Sequence, residues 1–369
     1  MRCFNIPVSP SERHPPLVIP VFYAHPRLRL LKLFTLESPM PSTTFLFCAE
    51  SGYFEGQTVV AVGCLRRFGK RLADAPVLVV TPRYGPSLAH DTMRSLEKLG
   101  AKHLYKDMKS EWAWYPYMNK GFAAQLADEY VETQQIAWLD SDVLVVDEPS
   151  CVILNDDEDF ACCAVDKNVG TSGPADPNEA YWSALAEHFR VPIDSLPWVQ
   201  TEHDNARVRM RLHSGVYSFR RGVGLGKAFA DDMQSMLASR ISYSRELPQP
   251  GDDVALAFSV VRLNLRWRLL PISHNYEMTP SSSIYRRESA RVAKVLHFHH
   301  ALSSEEESKW FLDELEQFRP DVSDWLRTRV PLPRRAGGVR ALLVRRILRE
   351  RRSVQQTKHI KSCRFMVQS

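Results

Sequence analysis

Two carboxylates interrupt an apolar, β-prone run. Residues 136–146 read IAWLDSDVLVV, with Asp140 and Asp142 in the middle. A strand buried on both faces reads as near-continuous Val, Ile and Leu, and an ionised carboxylate there is costly unless something pairs it. Positions i and i+2 of a strand point to the same side. Asp140 and Asp142 are therefore expected to offer two negative oxygens on one side of a strand end. A hard divalent cation takes one or two carboxylates and keeps positions open for phosphate oxygens. A capping or turn role is the alternative for either residue. The run continues as WLDSDVLVVDEP, and ligands of open α/β sheets sit beyond the carboxyl ends of such strands.

The surrounding elements read as alternating strands and helices. FLFCA (45–49) predicts a strand, 53–69 a helix stopped by Gly69, PVLVVTP (76–82) a second strand, and 87–100 a helix ending in glycine. This alternation argues for a parallel sheet of βαβ units and an α/β class. A helix over 117–131 leads into the aspartate-bearing run. A loop-rich stretch with Pro174, Pro177, Pro192 and Pro197 separates FACCAV from RMRLHSGVYSFRRG (209–222), and a helix is expected over 226–240. Residues 1–43 are proline-rich and read as an irregular extension, with a short helix over 27–36. Residues 44–320 form the folded domain, with halves 44–150 and 151–320, and 321–369 form a basic tail.

Charge and cysteine usage exclude several classes. Residues 331–369 hold eleven Lys and Arg against Glu350 alone, so the tail carries +10 and the rest of the chain −5 within a net +5. A mildly acidic body with a basic appendage is not the pattern of a nucleic-acid-binding domain. Seven cysteines without a C-x-x-C motif point to a reducing compartment, hence the cytoplasm. Cys162 and Cys163 sit in an apolar run and read as core. No apolar run of 18 residues or more predicts a spanning helix, and the N-terminus has no secretory h-region.

On WLDSDVLVVDEP and four further segments, the chain resembles the GT-A glycosyltransferases. The likeness is greatest to the retaining group that includes glycogenin and the lipopolysaccharide galactosyltransferases, glycosyltransferase family 8, and it covers about residues 44–315. It implies a Rossmann-like GT-A fold with a mixed, mostly parallel central sheet flanked by helices. The half 44–150 would bind nucleotide and 151–320 the donor sugar and acceptor. In CAESGYFEG (48–56), Tyr53 would stack on the base and Ala49, Glu50 and Ser51 would line it. Alternatively, Tyr53 is a helix staple on the core. In YMNKGFAA (117–124), Lys120 would meet the phosphates. Asp140 and Ser141 would contact the donor. In RLHSGVYSFRRG, Ser214 and Gly215 keep the family pattern while His213 replaces its Asn, forming a wall near the donor sugar. In GDDVALAF (251–258), Asp252 matches and Asp253 stands where Gln is usual. Both would lie at the reacting carbon, or cap a helix. In VLHFHHAL (295–302), His297 would complete a metal shell with Asp140 and Asp142, and His299 is its reserve. His300 replaces the usual Gly, and the Lys-Pro-Trp that follows in the family appears only as Lys309-Trp310.

The resemblance implies a metal-dependent glycosyltransferase. It would move a sugar from a nucleotide-diphosphate sugar, a UDP-sugar foremost, to a hydroxyl of a glycan, lipid-linked or protein acceptor, with retention. Imidazole with carboxylates favours Mn²⁺ over Mg²⁺. Asp252 or Asp253 would stabilise an oxocarbenium-like centre. Three readings compete. A sugar nucleotidyltransferase would carry a basic phosphate loop that AESGYFEG lacks. A metal-dependent hydrolase could use HFHH. A non-catalytic nucleotide-sugar binder would share the same residues. Acceptor docking is expected at 167–208, with Tyr181, Trp182 and Trp198. The arginine- and leucine-rich tail helix is expected either to sit in solvent or to bind peripherally to an anionic membrane on the cytoplasmic face.

Overall fold

The structure, a computed structural model, describes residues 43–247, 251–280, 282, 285–332 and 338–367. The short helix expected at 27–36 lies outside the described residues. The first half builds β1 (Thr43–Cys48), α1 (Tyr53–Phe68), β2 (Val77–Thr81), α2 (His90–Lys98), β3 (Ala101–Tyr105), α3 (Met118–Tyr130) and β4 (Gln135–Leu139). Then come β5 (Val143–Val145), β6 (Phe160–Cys163), α4 (Glu179–Phe189), β7 (Trp198–Gln200), β8 (Arg207–Arg209), β9 (His213–Arg220) and α5 (Leu225–Ser239). The chain continues through β10 (Ile241–Ser242), α6 (Asp252–Arg262), β11 (Trp267–Leu270), β12 (Tyr276–Glu277), α7 (Arg287–Arg291) and β13 (Val295–His297). It closes with α8 (Glu305–Glu316), α9 (Pro320–Arg327), α10 (Val339–Ser362) and β14 (Arg364–Phe365).

Seven strands form the central sheet in the order β11-β6-β9-β4-β1-β2-β3. The block β4-β1-β2-β3 is parallel, as the alternating pattern predicts, and β9 runs antiparallel to both β4 and β6. Strand β3 escapes the sequence reading because AKHLY is a half-exposed edge strand without an apolar run. Successive residues of the strands feed opposite cores, as the two-residue period requires. Ile136 and Trp138 join the core covered by α3, α5 and α6. Ala137 and Leu139 join the core covered by α1, α8 and α9. The expected α/β class, with a mixed and mostly parallel sheet flanked by helices, is what the structure has.

One expectation is corrected. Residues 136–146 are not a single strand: β4 ends at Leu139, residues 140–142 turn, and β5 leaves for a separate sheet β12-β13-β5. There β5 pairs antiparallel with β13 and His297 lies opposite Val143. The carboxylates interrupt the apolar pattern because the chain changes sheets there, and this aims them at different partners.

Two contacts position the lysine of the site. Helix α3 crosses α5 with Gly121 against Ala230 and Gly226 against the Ala124 carbonyl. A Cβ on Gly226 would meet that oxygen at 2.5 Å, so only glycine allows the approach. The folded body continues past residue 320, because Val322 and Leu326 of α9 and Leu332 are buried in the second core. The basic tail is also docked. Strand β14 pairs in parallel with β10, and the buried His359 of α10 lies against the rings of Trp112 and Trp114.

Candidate active site

Parallel β1 and β4 end at the same edge of the sheet, and antiparallel β9 begins there. This topology alone gathers Ala49–Ser51, Asp140–Asp142 and His213–Gly215. The Asp140 amide donates to the Gly215 carbonyl (2.9 Å) and the Phe298 amide to the Asp142 carbonyl (3.0 Å), tying β9 and β13 to the turn. A cavity of about 450 Å³ opens at this edge, and Lys120, Asp140, Asp142, Asp252 and His297 all line it.

Lys120 is the hub of one side. Its Nζ reaches Asp140 Oδ2 (2.9 Å), Asp252 Oδ2 (2.8 Å) and Ser214 Oγ (2.9 Å). Burial works against its charge, but the two carboxylates outweigh burial and hold the ammonium well above its usual range. Asp140 also accepts from Trp138 Nε1 (2.9 Å). Burial pushes its carboxyl up to about 6, with Lys120 pulling the other way and Asp142 adding to the rise. Asp252 and Asp253 open α6, where the helix dipole favours anions. Burial opposes the charge of Asp252, and Lys120 and Ser214 overcome it and hold the group low. Asp253 is pushed up by burial, against the pull of Arg211, whose Nε donates to it at 2.9 Å.

The other side is imidazole. His297 Nε2 lies 3.2 Å from Asp142 Oδ1, and His299 Nδ1 lies 3.9 Å from Asp142 Oδ2. Ligand atoms of Asp142, His297 and His299 all fall within 4.8 Å of one another. Burial disfavours charge on Asp142, yet the imidazoles hold its carboxyl well below the usual range. His299 sits at φ 48°, a left-handed backbone uncommon for a non-glycine residue, and its ring stacks on His297 at 4.1 Å. Burial and the neighbouring His297 push it down to about 4. A carboxylate and two imidazoles in this spacing can hold a divalent ion. The sequence expectation had grouped Asp140, Asp142 and His297. The structure joins His299 to Asp142 and His297, and it turns Asp140 toward Lys120.

The remaining expected residues fall as follows. Tyr53 opens α1, half-buried, and its hydroxyl bonds Ser303 Oγ. Glu50 accepts Arg83 bidentately, at 2.7 Å on each oxygen. The buried Ala49 is pinned by its amide to the Val80 carbonyl. Ser51 accepts from Arg345 and Ser141 donates to Gln57, so neither faces the small cavity. Lys309 is exposed on α8 and paired with Asp313. Trp182 is wholly buried, its Nε1 donating to the Val169 carbonyl, and cannot dock an acceptor. Tyr181 lines the cavity, and Trp198 lies between Arg207 and Arg209.

Asn275 escaped the sequence reading. It is buried just before β12 and bridges two imidazoles, with Nδ2 2.7 Å from His213 Nδ1 and Oδ1 3.0 Å from His297 Nδ1. The backbone amide of Gly215 donates to that same His213 nitrogen (3.1 Å), so His213 Nδ1 accepts. The Asn275 amide group must then face His213, and its carbonyl must take the Nδ1 proton of His297. This arrangement aims His297 Nε2 at Asp142. No spacing in ISHNY signals it, because the contact depends on the β12–β13 register.

A family model, the Rhodobacterales glycosyltransferase domain, matches residues 45–264, well over half of the chain. The protein is therefore a glycosyltransferase. It belongs to the Rhodobacterales glycosyltransferase domain family. No curated protein matches it. Among solved structures, it is similar to the galactosyltransferase LgtC in complex with donor and acceptor sugar analogs. Identity is 12% and the TM-score 0.47, covering 75% of this chain and 95% of LgtC. It is also similar to the bifunctional glycosyltransferase WbbM, at 9% identity and TM-score 0.46 over 79% of this chain and 53% of WbbM. A third is GlyE of Streptococcus pneumoniae TIGR4, at 10% identity and TM-score 0.42 over 79% of this chain and 66% of GlyE.

Proposed function

We propose that the protein transfers a sugar from a nucleotide-diphosphate sugar, a UDP-sugar, to an acceptor hydroxyl, with retention and with a divalent metal of the Mn²⁺ type. The observation that carries this reading is the convergence of Lys120, Asp252, Asp142 and His297 on one cavity at the carboxyl ends of β1 and β4. Asp142, His297 and His299 would hold the metal, which when bound neutralises charge on the leaving diphosphate. Lys120, fixed between two carboxylates, holds Asp252 ionised. A carboxylate held in that form suits an oxocarbenium-like centre and not proton donation. Ser214 orients it by donating to Oδ2 (2.5 Å). Tyr53 offers a ring at the nucleoside end. Tyr181, Tyr243 and Leu247 line the cavity beside Asp252, and the acceptor enters across them.

The reading extends to the membrane. No helix of the described residues is long and apolar enough to cross one. Helix α10 instead exposes Val339, Leu343 and Ile347, at 83%, 58% and 54%, in a stripe spaced four residues apart among arginines. Such a face suits peripheral attachment to an anionic surface.

Calorimetric titration with UDP, with and without Mn²⁺, tests the central reading. The parent protein is expected to bind UDP in a metal-dependent way. Asp142→Asn is expected to lose that dependence while melting cooperatively near the parent temperature. A variant that binds UDP as the parent does, with the same metal dependence, would refute it.

A further inference from the structure

The nucleoside end of the site has a wall that comes from outside the matched family domain. A cavity of about 990 Å³ lies between residues 50–54 and α10. Consecutive histidines line the two cavities, His299 the smaller one and His300 this one. Its far wall is a stripe of α10: Arg345, Arg349 and Arg352 at i, i+4 and i+7 share one face of the helix. Two of them touch the opposite rim. Arg345 Nη1 donates to Ser51 Oγ (2.9 Å) and Arg352 Nη2 to the Tyr84 carbonyl (3.0 Å). Arg349 has no hydrogen-bond or ion-pair partner among the described residues. The outward side of the helix pairs Arg346 with Glu350 (3.1 Å).

Charge accounting makes this wall informative. Among the described residues the lining holds one carboxylate, Glu50, and it already accepts two hydrogen bonds from Arg83. Arg349 and Arg352 therefore leave the described lining with surplus positive charge, which concentrates anions. In the smaller cavity the cations are committed: Lys120 between Asp140 and Asp252, and Arg211 between Asp166 and Asp253. A ligand with two phosphates that reaches the imidazole end needs further cationic donors, and α10 supplies them.

We propose that α10 is a wall of the donor site, and that Arg345 and Arg349 hydrogen-bond the phosphates of the bound nucleoside diphosphate. This rests on the donor reading above. The anchors of α10, β14 on β10 and His359 beside Trp112 and Trp114, hold the arginines over the cavity without a ligand.

The test is calorimetric titration of the full chain with UDP plus Mn²⁺ and with uridine. It compares the parent, Arg345→Ala, Arg349→Ala, the double variant and the outward control Arg346→Ala. Each inward variant is expected to weaken UDP about tenfold, the equivalent of one charge-assisted hydrogen bond, and to leave uridine unchanged. Amide exchange over 339–362 is expected to slow when UDP binds. Inward variants that bind UDP as the parent does, or more tightly, overturn the proposal, the latter marking α10 as a plug. Equal weakening by Arg346→Ala also overturns it, because the effect would then be long-range charge alone. A parent that binds no UDP with Mn²⁺ overturns the donor reading itself, and this proposal with it.

Discussion

Gly215→Ala tests the imidazole site most directly. A Cβ on Gly215 would stand 2.8 Å from His297 Cε1, 3.0 Å from its Nδ1 and 3.1 Å from His213 Cε1. Ordinary contact begins at 3.4 Å, so the rings must yield by about 0.6 Å. They have little room. His297 is buried, stacked on His299 and bonded to Asn275. Metal–ligand distances tolerate about 0.2 Å, so such a shift takes His297 Nε2 out of range of an ion held by Asp142. The expected result is Mn²⁺ affinity lower by about 10- to 100-fold, as when an orienting partner of a ligand is lost. Overpacking is expected to destabilise the fold by about 1–3 kcal/mol. Electron paramagnetic resonance of free Mn²⁺ reads the first and thermal unfolding the second. Asn275→Ala separates the two effects, because it removes the orienting carbonyl without adding volume. It is expected to weaken Mn²⁺ by a similar factor. Gly215→Ala protein that unfolds earlier but binds Mn²⁺ as the parent does would refute the reasoning.

Two further predictions follow from the nucleoside end and the tail. Tyr53→Ala is expected to weaken UDP by about 1–3 kcal/mol through lost stacking, and Tyr53→Phe much less, because the ring face is kept; equal losses in calorimetry would assign the effect to the hydroxyl. Full-length protein is expected to pellet with anionic but not neutral vesicles at low salt, and to be released by added salt. Leu343→Glu with Ile347→Glu is expected to stay in the supernatant; co-sedimentation unchanged by that pair would exclude the exposed stripe of α10 as the contact.

How much of this was legible in advance depends on the range of the interactions. The first strands and helices were readable because burial on both faces writes apolar runs and glycine stops into the local sequence. The two aspartates stood out too, since carboxylates amid Val, Ile and Leu are costly without a partner, although they were expected on one side of a strand end and not in a turn. Lys120, Asp252 and His297 were legible only through the likeness of their segments to the GT-A glycosyltransferases, since a lone helical lysine, a helix-opening aspartate and a histidine after an apolar run carry no local signal of their own. The sequence could not show that residues 136–146 divide between two sheets, because that depends on β13 arriving from 150 residues further along to pair with β5. Nor could it show which carboxylate meets which partner. Asp140 turned to Lys120 and Asp142 to the imidazoles because the turn leaves the plane of the central sheet. Asn275 stayed invisible because its two contacts come from β9 and β13, brought together only by sheet register. Composition could show a basic tail. Its position over the cavity was decided by β14 pairing with β10 and by His359 seated against two tryptophans. Those contacts are long-range, and no local pattern encodes them.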